Sequence, residues 1–243
     1  SYNTNKQGVN ISSGLLGGRW VVDARLTHIG SDGYIERGST DLKSYMAQVG
    51  YYADNTKVKL LSFGGVAKTY LTYNGVSRED MEKYGRRYHD SGQYYDKDGN
   101  VAYYDDQTDN YLQFNNQLVV NHSFNKEWML NATLFYTYGY GYYNQYKDDA
   151  WLAGYINLNT SIEEADLIRH KKMLTHLGGV NAAAEYRTSN LDVTFGGSYS
   201  YYNSPHWGTL SWVDGMDSAS VGGKWYDNDV IKHDGNIFAR ADW

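Results

Sequence analysis

Polar and apolar residues alternate with a period of two along much of this chain, as in extended strands whose side chains point to opposite faces in turn. Between 127 and 143, Trp128, Leu130, Ala132, Leu134, Tyr136, Tyr138 and Tyr140 share one face, while Asn131, Thr133, Thr137 and Gly139 share the other. Leu112, Phe114, Leu118, Val120 and Phe124 likewise oppose Gln113, Asn115, Gln117, Asn121 and Ser123. Trp20, Val22, Ala24 and Leu26 oppose Asp23, Arg25 and Thr27, and Leu191, Val193, Phe195, Tyr199 and Tyr201 oppose Asp192, Thr194, Ser198 and Ser200. The pattern predicts nine strands, near 5–15, 19–29, 41–52, 57–73, 109–124, 127–143, 172–187, 191–203 and 235–243. His122, on an apolar face, and the mixed segment from Val58 to Thr72 depart from it.

The connectors alternate too. Leu16-Gly17-Gly18, Ala53-Asp54-Asn55-Thr56, Asn125-Lys126 and Thr188-Ser189-Asn190 are tight and built from residues that tolerate hairpin turns. Those near 30–40, 74–108, 144–171 and 204–234 are long and polar. Long structureless loops are uncommon in compact soluble domains. Short periplasmic turns alternating with long outer loops are what a bacterial barrel shows. The expected fold is therefore all-β: an antiparallel transmembrane β-barrel, with one face in lipid and the other in the lumen. A half-exposed soluble sheet would share the alternation, but aromatic placement favours the barrel. Trp20, Tyr51, Tyr52, Phe124, Trp128 and Tyr186 lie beside the tight turns, and Tyr138, Tyr140, Tyr142, Tyr199 and Tyr201 lie toward the loops. Two aromatic bands separated by small and aliphatic residues match membrane-interface girdles.

Composition narrows the chemistry. The 243 residues include 26 Tyr, 26 Gly and a single Pro, a bias against long helices. Without cysteine there is no disulfide, thiolate metal site or cysteine nucleophile. A net charge of −6 argues against nucleic acid as a partner. No run of about 18 apolar residues exists, which leaves a strand barrel as the way to span a membrane. Strand parity places the chain ends on opposite sides, so residues 1–243 read as a partial barrel with strands lying outside it, and Trp243 as a girdle residue rather than a natural end.

Three stretches resemble the barrels of TonB-dependent receptors, particularly those for iron complexes in Bacteroidetes-like bacteria. They are Trp20-Val21-Val22-Asp23-Ala24-Arg25-Leu26 with Ser31-Asp32-Gly33-Tyr34-Ile35-Glu36-Arg37, then Gln107-Thr108-Asp109-Asn110-Tyr111 ahead of Leu118-Val119-Val120-Asn121-His122, and Gly235-Asn236-Ile237-Phe238-Ala239-Arg240-Ala241-Asp242-Trp243. The resemblance implies a 22-stranded barrel whose N-terminal plug and remaining strands lie outside these residues. It implies import of a ferric siderophore or another iron complex across the outer membrane of a Gram-negative bacterium, powered by TonB-ExbB-ExbD. A surface lipoprotein over the mouth is left open. The alternative readings are a non-energised channel or adhesin barrel, and a membrane-embedded enzyme for which no residue set stands out.

No enzyme, cofactor or metal centre is expected. The seven histidines form no metal-binding motif. Asp96-Lys97-Asp98-Gly99-Asn100 has the look of a calcium loop but lacks its spacing and closing Glu, and reads as a turn. The loops offer aromatic rings and charges suited to a flat or anionic ligand: Arg86, Arg87, Tyr94 and Tyr95, then Trp151 and Tyr155, then His206, Trp207, Trp212 and Trp225. The same rings would also serve to pack the loops on one another. Residues 161–170 read as a short helix, with Ser161 and Glu164 as a capping box and basic residues at its end.

Overall fold

A computed structural model describes residues 2–72 and 74–243. Nine antiparallel strands form one sheet in chain order: β1 (Asn5–Ser12), β2 (Trp20–Ser31), β3 (Thr40–Tyr52), β4 (Thr56–Tyr70), β7 (Thr108–Ser123), β8 (Trp128–Trp151), β9 (Glu164–Arg187), β10 (Asp192–Val213) and β11 (Lys224–Asp242). The loop between β4 and β7 adds a helix, α1 (Arg78–Tyr84), and a separate hairpin of β5 (Gln93–Tyr95) and β6 (Val101–Tyr103).

The pairing register confirms the two faces. One row runs Arg25, Met46, Phe63, Asn115, Thr137, Leu177, Tyr202 and Lys232, each opposite the next. Its face carries a polar network: Gln48 donates to Asp23 at 3.0 Å, Asn131 to Glu185 at 2.8 Å and Thr137 to Asn115 at 2.9 Å. Two surface grooves, one beside Arg25, Phe63 and Asn115 and one beside Asn121, Asn131, Asn181 and Asn236, open mainly on this face, which is the lumen wall. The opposite face carries the row Tyr45, Gly64, Phe114, Tyr138 and His176, with ring centroids 5.9 Å apart for Tyr45–Phe114, 6.5 Å for Phe114–Tyr138 and 5.5 Å for Tyr138–His176.

Near the turns, Trp20 packs on Tyr51 and Trp128 on Tyr186, each pair at 4.8 Å. From Trp128 to Tyr138 along β8 the chain rises roughly 33 Å, which at a tilt of about 40° becomes about 25 Å, the height of an apolar barrel band. Both departures from alternation have partners. His122 sits at the turn end with Nδ1 2.8 Å from the Thr56 hydroxyl and its ring edge-on to Phe124. Ser62, the polar break in β4, meets the Tyr45 hydroxyl at 2.9 Å.

The structure corrects the elements above this band. Residues 161–170 are not a helix, since β9 begins at Glu164 and pairs with β8 through Trp151↔Glu164 and Ala150↔Ala165, and with β10 through Val213↔Leu167. Two flanking strands supply ladder hydrogen bonds along this segment, more than a capping box of a few tenths of a kcal/mol to about 2 kcal/mol can outweigh. The helix lies instead at α1, where Ser77 caps the Asp80 amide at 3.0 Å and Glu79 and Asp80 occupy the first turn. The long connectors are also shorter than expected, because β8, β9, β10 and β11 continue as a tower beyond the girdle. In β10 Pro205 has no N–H for the ladder, and the β9 pairing is interrupted beside it. The Ser204 hydroxyl donates instead to the Leu174 carbonyl at 2.8 Å.

The segment 96–100 is a hairpin turn. Asp96 accepts from the amides of Asp98 at 2.9 Å and Asn100 at 2.8 Å, so its carboxylate is held below the usual range, chiefly by the Asn100 amide. Asp96→Ala is expected to speed amide exchange at 98 and 100 while leaving barrel strands unchanged. Unaltered exchange at those two amides would show that the turn does not depend on this side chain.

Candidate functional site

Past the outer girdle, alternation continues to aim every second residue at the lumen. Tyr143, Gln145 and Lys147 of β8 stand opposite Lys171, Arg169 and Leu167 of β9. On β10, His206, Gly208 and Leu210 face Met173, Lys171 and Arg169. β11 adds Tyr226 opposite Gly208. A register shift at Gly208 and Thr209 lets Trp225 as well as Tyr226 lie over the bare Cα of Gly208. A Cβ there would come within 2.4 Å of both rings, so any larger residue would expel them.

Asp109, Tyr111, Tyr143, Lys171, Met173, His206 and Tyr226 line a cavity of about 430 Å³. That is within the range of small-molecule sites. The Tyr111 ring lies across Gly141, whose Cβ would meet it at 2.7 Å. Above the cavity Leu152, Tyr155, Leu167, Leu210, Val213 and Val221 form a buried apolar cluster, with Trp225 packed against it. The Tyr155 and Trp225 rings are 4.9 Å apart and the Trp225 and Tyr226 rings 4.4 Å apart.

The polar groups are held in place. Arg169 donates through Nε at 2.9 Å and Nη2 at 2.6 Å to Gln145 Oε1, and through Nη1 at 3.3 Å to the Tyr155 hydroxyl. Lys171 Nζ lies 5.9 Å from the Tyr143 ring and 5.7 Å from the Trp225 ring. Burial first, then the Arg169 charge, pushes Lys147 and Lys171 below the usual lysine range. Burial raises the Asp109 carboxyl. The Ser204 hydroxyl proton goes to the Leu174 carbonyl, so His206 Nε2, 3.0 Å from Ser204 Oγ, is the donor in that contact.

Of the ten loop residues singled out by sequence, Tyr155, His206 and Trp225 come together at this cavity or its roof. Tyr94 and Trp212 lie on the outward face, each stacked on Tyr146, at 4.7 and 6.1 Å. Trp207 is also outward, 6.4 Å from Tyr140. Trp151 ends β8 with 66% of its surface exposed. Tyr95 borders a groove lined by Asp148, Asp149, Glu164, Asp166 and Asp214. Arg86 is exposed in the turn after α1, and Arg87 donates to the Tyr34 carbonyl at 2.8 Å, clasping the β2–β3 loop. Lys147, Arg169, Lys171, Tyr143 and Tyr226 were not singled out. Carrying the period of two through 143–147 and 167–171 would have placed the first four on one face.

No family model and no curated protein matches the sequence. Solved structures do match. The ferric-catecholate import receptor Fiu from E. coli K12 aligns over 99% of this chain with a TM-score of 0.63 at 12% identity. The RagAB peptide transporter aligns over 98% with a TM-score of 0.64 at 14% identity. The chain has the barrel fold of these import proteins. BauA, the ferric preacinetobactin receptor from Acinetobacter baumannii, aligns over 94% with a TM-score of 0.54 at 10% identity. The chain spans 40%, 30% and 33% of those three structures, respectively. At such identities the likeness concerns the fold, an antiparallel membrane-spanning β-barrel wall, and carries no ligand with it.

Proposed function

We propose that this chain is part of the barrel of a TonB-dependent outer-membrane receptor that imports a scarce nutrient, most specifically a ferric siderophore or other iron complex. The main support is the two-sided wall, lipid girdles outside and hydrogen-bonded polar lumen inside, on the same fold as import proteins for ferric-catecholate, ferric preacinetobactin and peptide cargo. In such a receptor the long strands β8 to β11 form the outer vestibule, and the cavity between β7, β8, β9, β10 and β11 lies on the path from the mouth to the lumen. A plug, TonB-ExbB-ExbD and a surface lipoprotein over the mouth would complete the device. In this reading the wall binds and conducts.

The reading is tested by growth under iron limitation on defined ferric sources. Deleting the gene is expected to abolish growth on at least one source, and deleting TonB is expected to reproduce that loss. Retained growth on every ferric source would remove the iron reading. A loss that persists with TonB inactive in the parent strain would leave a passive channel.

A further inference from the structure

We propose that the outer rim of the lipid-facing wall holds one lipopolysaccharide molecule, with His176 and His233 taking two phosphates of its lipid A headgroup. The inference goes beyond the import reading and rests on it only for the placement of the wall in an outer membrane.

The same arrangement occurs twice on the outward face. Between β8 and β9, the Tyr136 hydroxyl is 2.7 Å from His176 Nδ1, and the imidazole meets the Tyr138 ring edge-on at 5.5 Å. Between β10 and β11, the Tyr199 hydroxyl is 2.8 Å from His233 Nδ1, and the Tyr201 ring lies 5.1 Å away. Each histidine is thus braced by alternate tyrosines of the preceding strand. The hydroxyl occupies Nδ1 and leaves Nε2 for a partner that the protein does not supply. Among the described residues neither ring makes a further hydrogen bond, and neither joins an ion pair. A polar ring atom turned toward lipid without a partner is costly. A girdle ring needs no brace to rest at the interface, whereas two imidazoles fixed in one orientation suit a ligand that meets both.

The two clasps sit at nearly one depth. Because barrel strands tilt, a register row climbs away from the tight turns as it crosses the sheet. One such row leaves β4 at Thr56, its first residue, passes His122, Leu130 and Ala184, and reaches β10 at Phe195, well past Asp192. The row of His176 runs through Asn203 to Ile231, and His233 lies one outward position nearer the turns, so the climb brings the histidines level. Strand spacing and rise place them about 12 Å apart, too far to share one phosphate and suited to two on one headgroup. Other basic groups of this face at the outer end already have carboxylates: His28 and Lys43 share Asp41, and Lys68 pairs with Asp106.

Lipid A carries two phosphates on one diglucosamine and several acyl chains, and the surface offers a bed for a chain. Below the clasps, Tyr136 and Leu134 on one side and Tyr199 and Phe195 on the other flank Gly178 and Ala182 of β9. A Cβ at Gly178 would meet nothing nearer than 3.7 Å, so the furrow is open there. Trp128 meets Phe195 at 6.5 Å and closes its lower end.

The test uses the intact receptor in phosphatidylcholine nanodiscs, titrated with lipid A, with dephosphorylated lipid A and with phosphatidylglycerol. Lipid A is expected to bind, and the other two about tenfold more weakly or not at all. His176→Leu and His233→Leu should each weaken lipid A binding about tenfold. Equal binding of dephosphorylated lipid A would show that the phosphates are not recognised, and equal binding of phosphatidylglycerol would assign the rim to anionic lipid in general; either overturns the proposal. So would a lipid A affinity unchanged by both Leu substitutions. Each variant is first checked for heat-dependent migration in SDS. Where a Leu variant does not assemble, Tyr136→Phe and Tyr199→Phe, which remove only the braces, decide by the same loss or its absence. Selective lipid A binding without TonB-dependent uptake would keep the clasps and remove the import reading. Uptake without selective binding would do the reverse.

Discussion

Leu134→Arg is expected to abolish or sharply reduce assembly of the folded barrel, while Thr133→Arg, one residue away, is expected to be tolerated. Leu134 is 54% exposed and lies on the outward face between the Trp128 and Tyr138 girdles. In a soluble sheet that exposure would make it a surface residue, and a charge there would be neutral or better. In a barrel wall the exposed surface meets hydrocarbon, and Arg at mid-depth costs about 2–4 kcal/mol. Thr133 faces the polar groove beside Asn131 and Asn181, where a guanidinium finds water and amide carbonyls. The two variants have the same change in charge and almost the same position in the strand, and differ only in face. Measured as the fraction of intact protein that migrates as a folded species in unheated SDS, equal behaviour of the two would mean that the outward face is not in lipid.

How much of this was legible from the chain alone follows from the same physics. Within the membrane, lipid on one side and water on the other force a strict period of two, so the strands from Trp20 to Ser31 and from Thr108 to Ser123 were found to within a few residues. Above the girdle both faces meet water or other loops, and nothing forbids Asp148 and Asp149 in succession or Pro205 within a strand. That is why β8, β10 and β11 continued through segments read as loops. Residues 164–170 could be read two ways, since the capping signs are local and the strand pairing is not. α1 was overlooked although Ser77, Glu79 and Asp80 carry the same capping logic. For the site, loop aromatics were visible by abundance alone. Tyr155, His206 and Trp225 converge, but Tyr94, Trp207 and Trp212 take the opposite face, which only the register reveals. The cations escaped notice because they belong to strands that had been read as loop.

Acidification is expected to release the long β4–β7 loop from the β2–β3 loop, through His89. This imidazole is 1% exposed. Nε2 lies 2.6 Å from the Glu36 carbonyl and so must carry the proton, and Nδ1 accepts from the Ser91 amide at 3.2 Å. The arrangement needs a neutral ring. Arg37, whose guanidinium stacks 3.5 Å from the Tyr103 ring and donates to the His89 carbonyl at 2.7 Å, adds a positive charge beside it. Tyr70 presents its ring edge at 5.8 Å, and Glu36 and Asp90 are the nearby carboxylates. Burial, with a further contribution from Arg37, holds the histidine below its ordinary value despite the opposing Glu36 contact. The opened loop therefore takes up the proton more readily than the docked one. The contribution to docking is fully present above about pH 6.5 and declines as the pH falls below it toward the docked value. Protonation would set an Nδ1–H against the Ser91 N–H, a contact between two donors. After correction for intrinsic rates, amide exchange at 87–92 should rise between pH 7 and pH 5 in the native protein and lose that pH dependence in His89→Gln. His89→Ala should open the loop at neutral pH, since the Ser91 amide and Glu36 carbonyl lose buried partners at about 1–3 kcal/mol each. Exchange that does not respond to pH in the native protein would show that the two loops are held by Arg37, Arg87 and Tyr70 without needing a neutral His89.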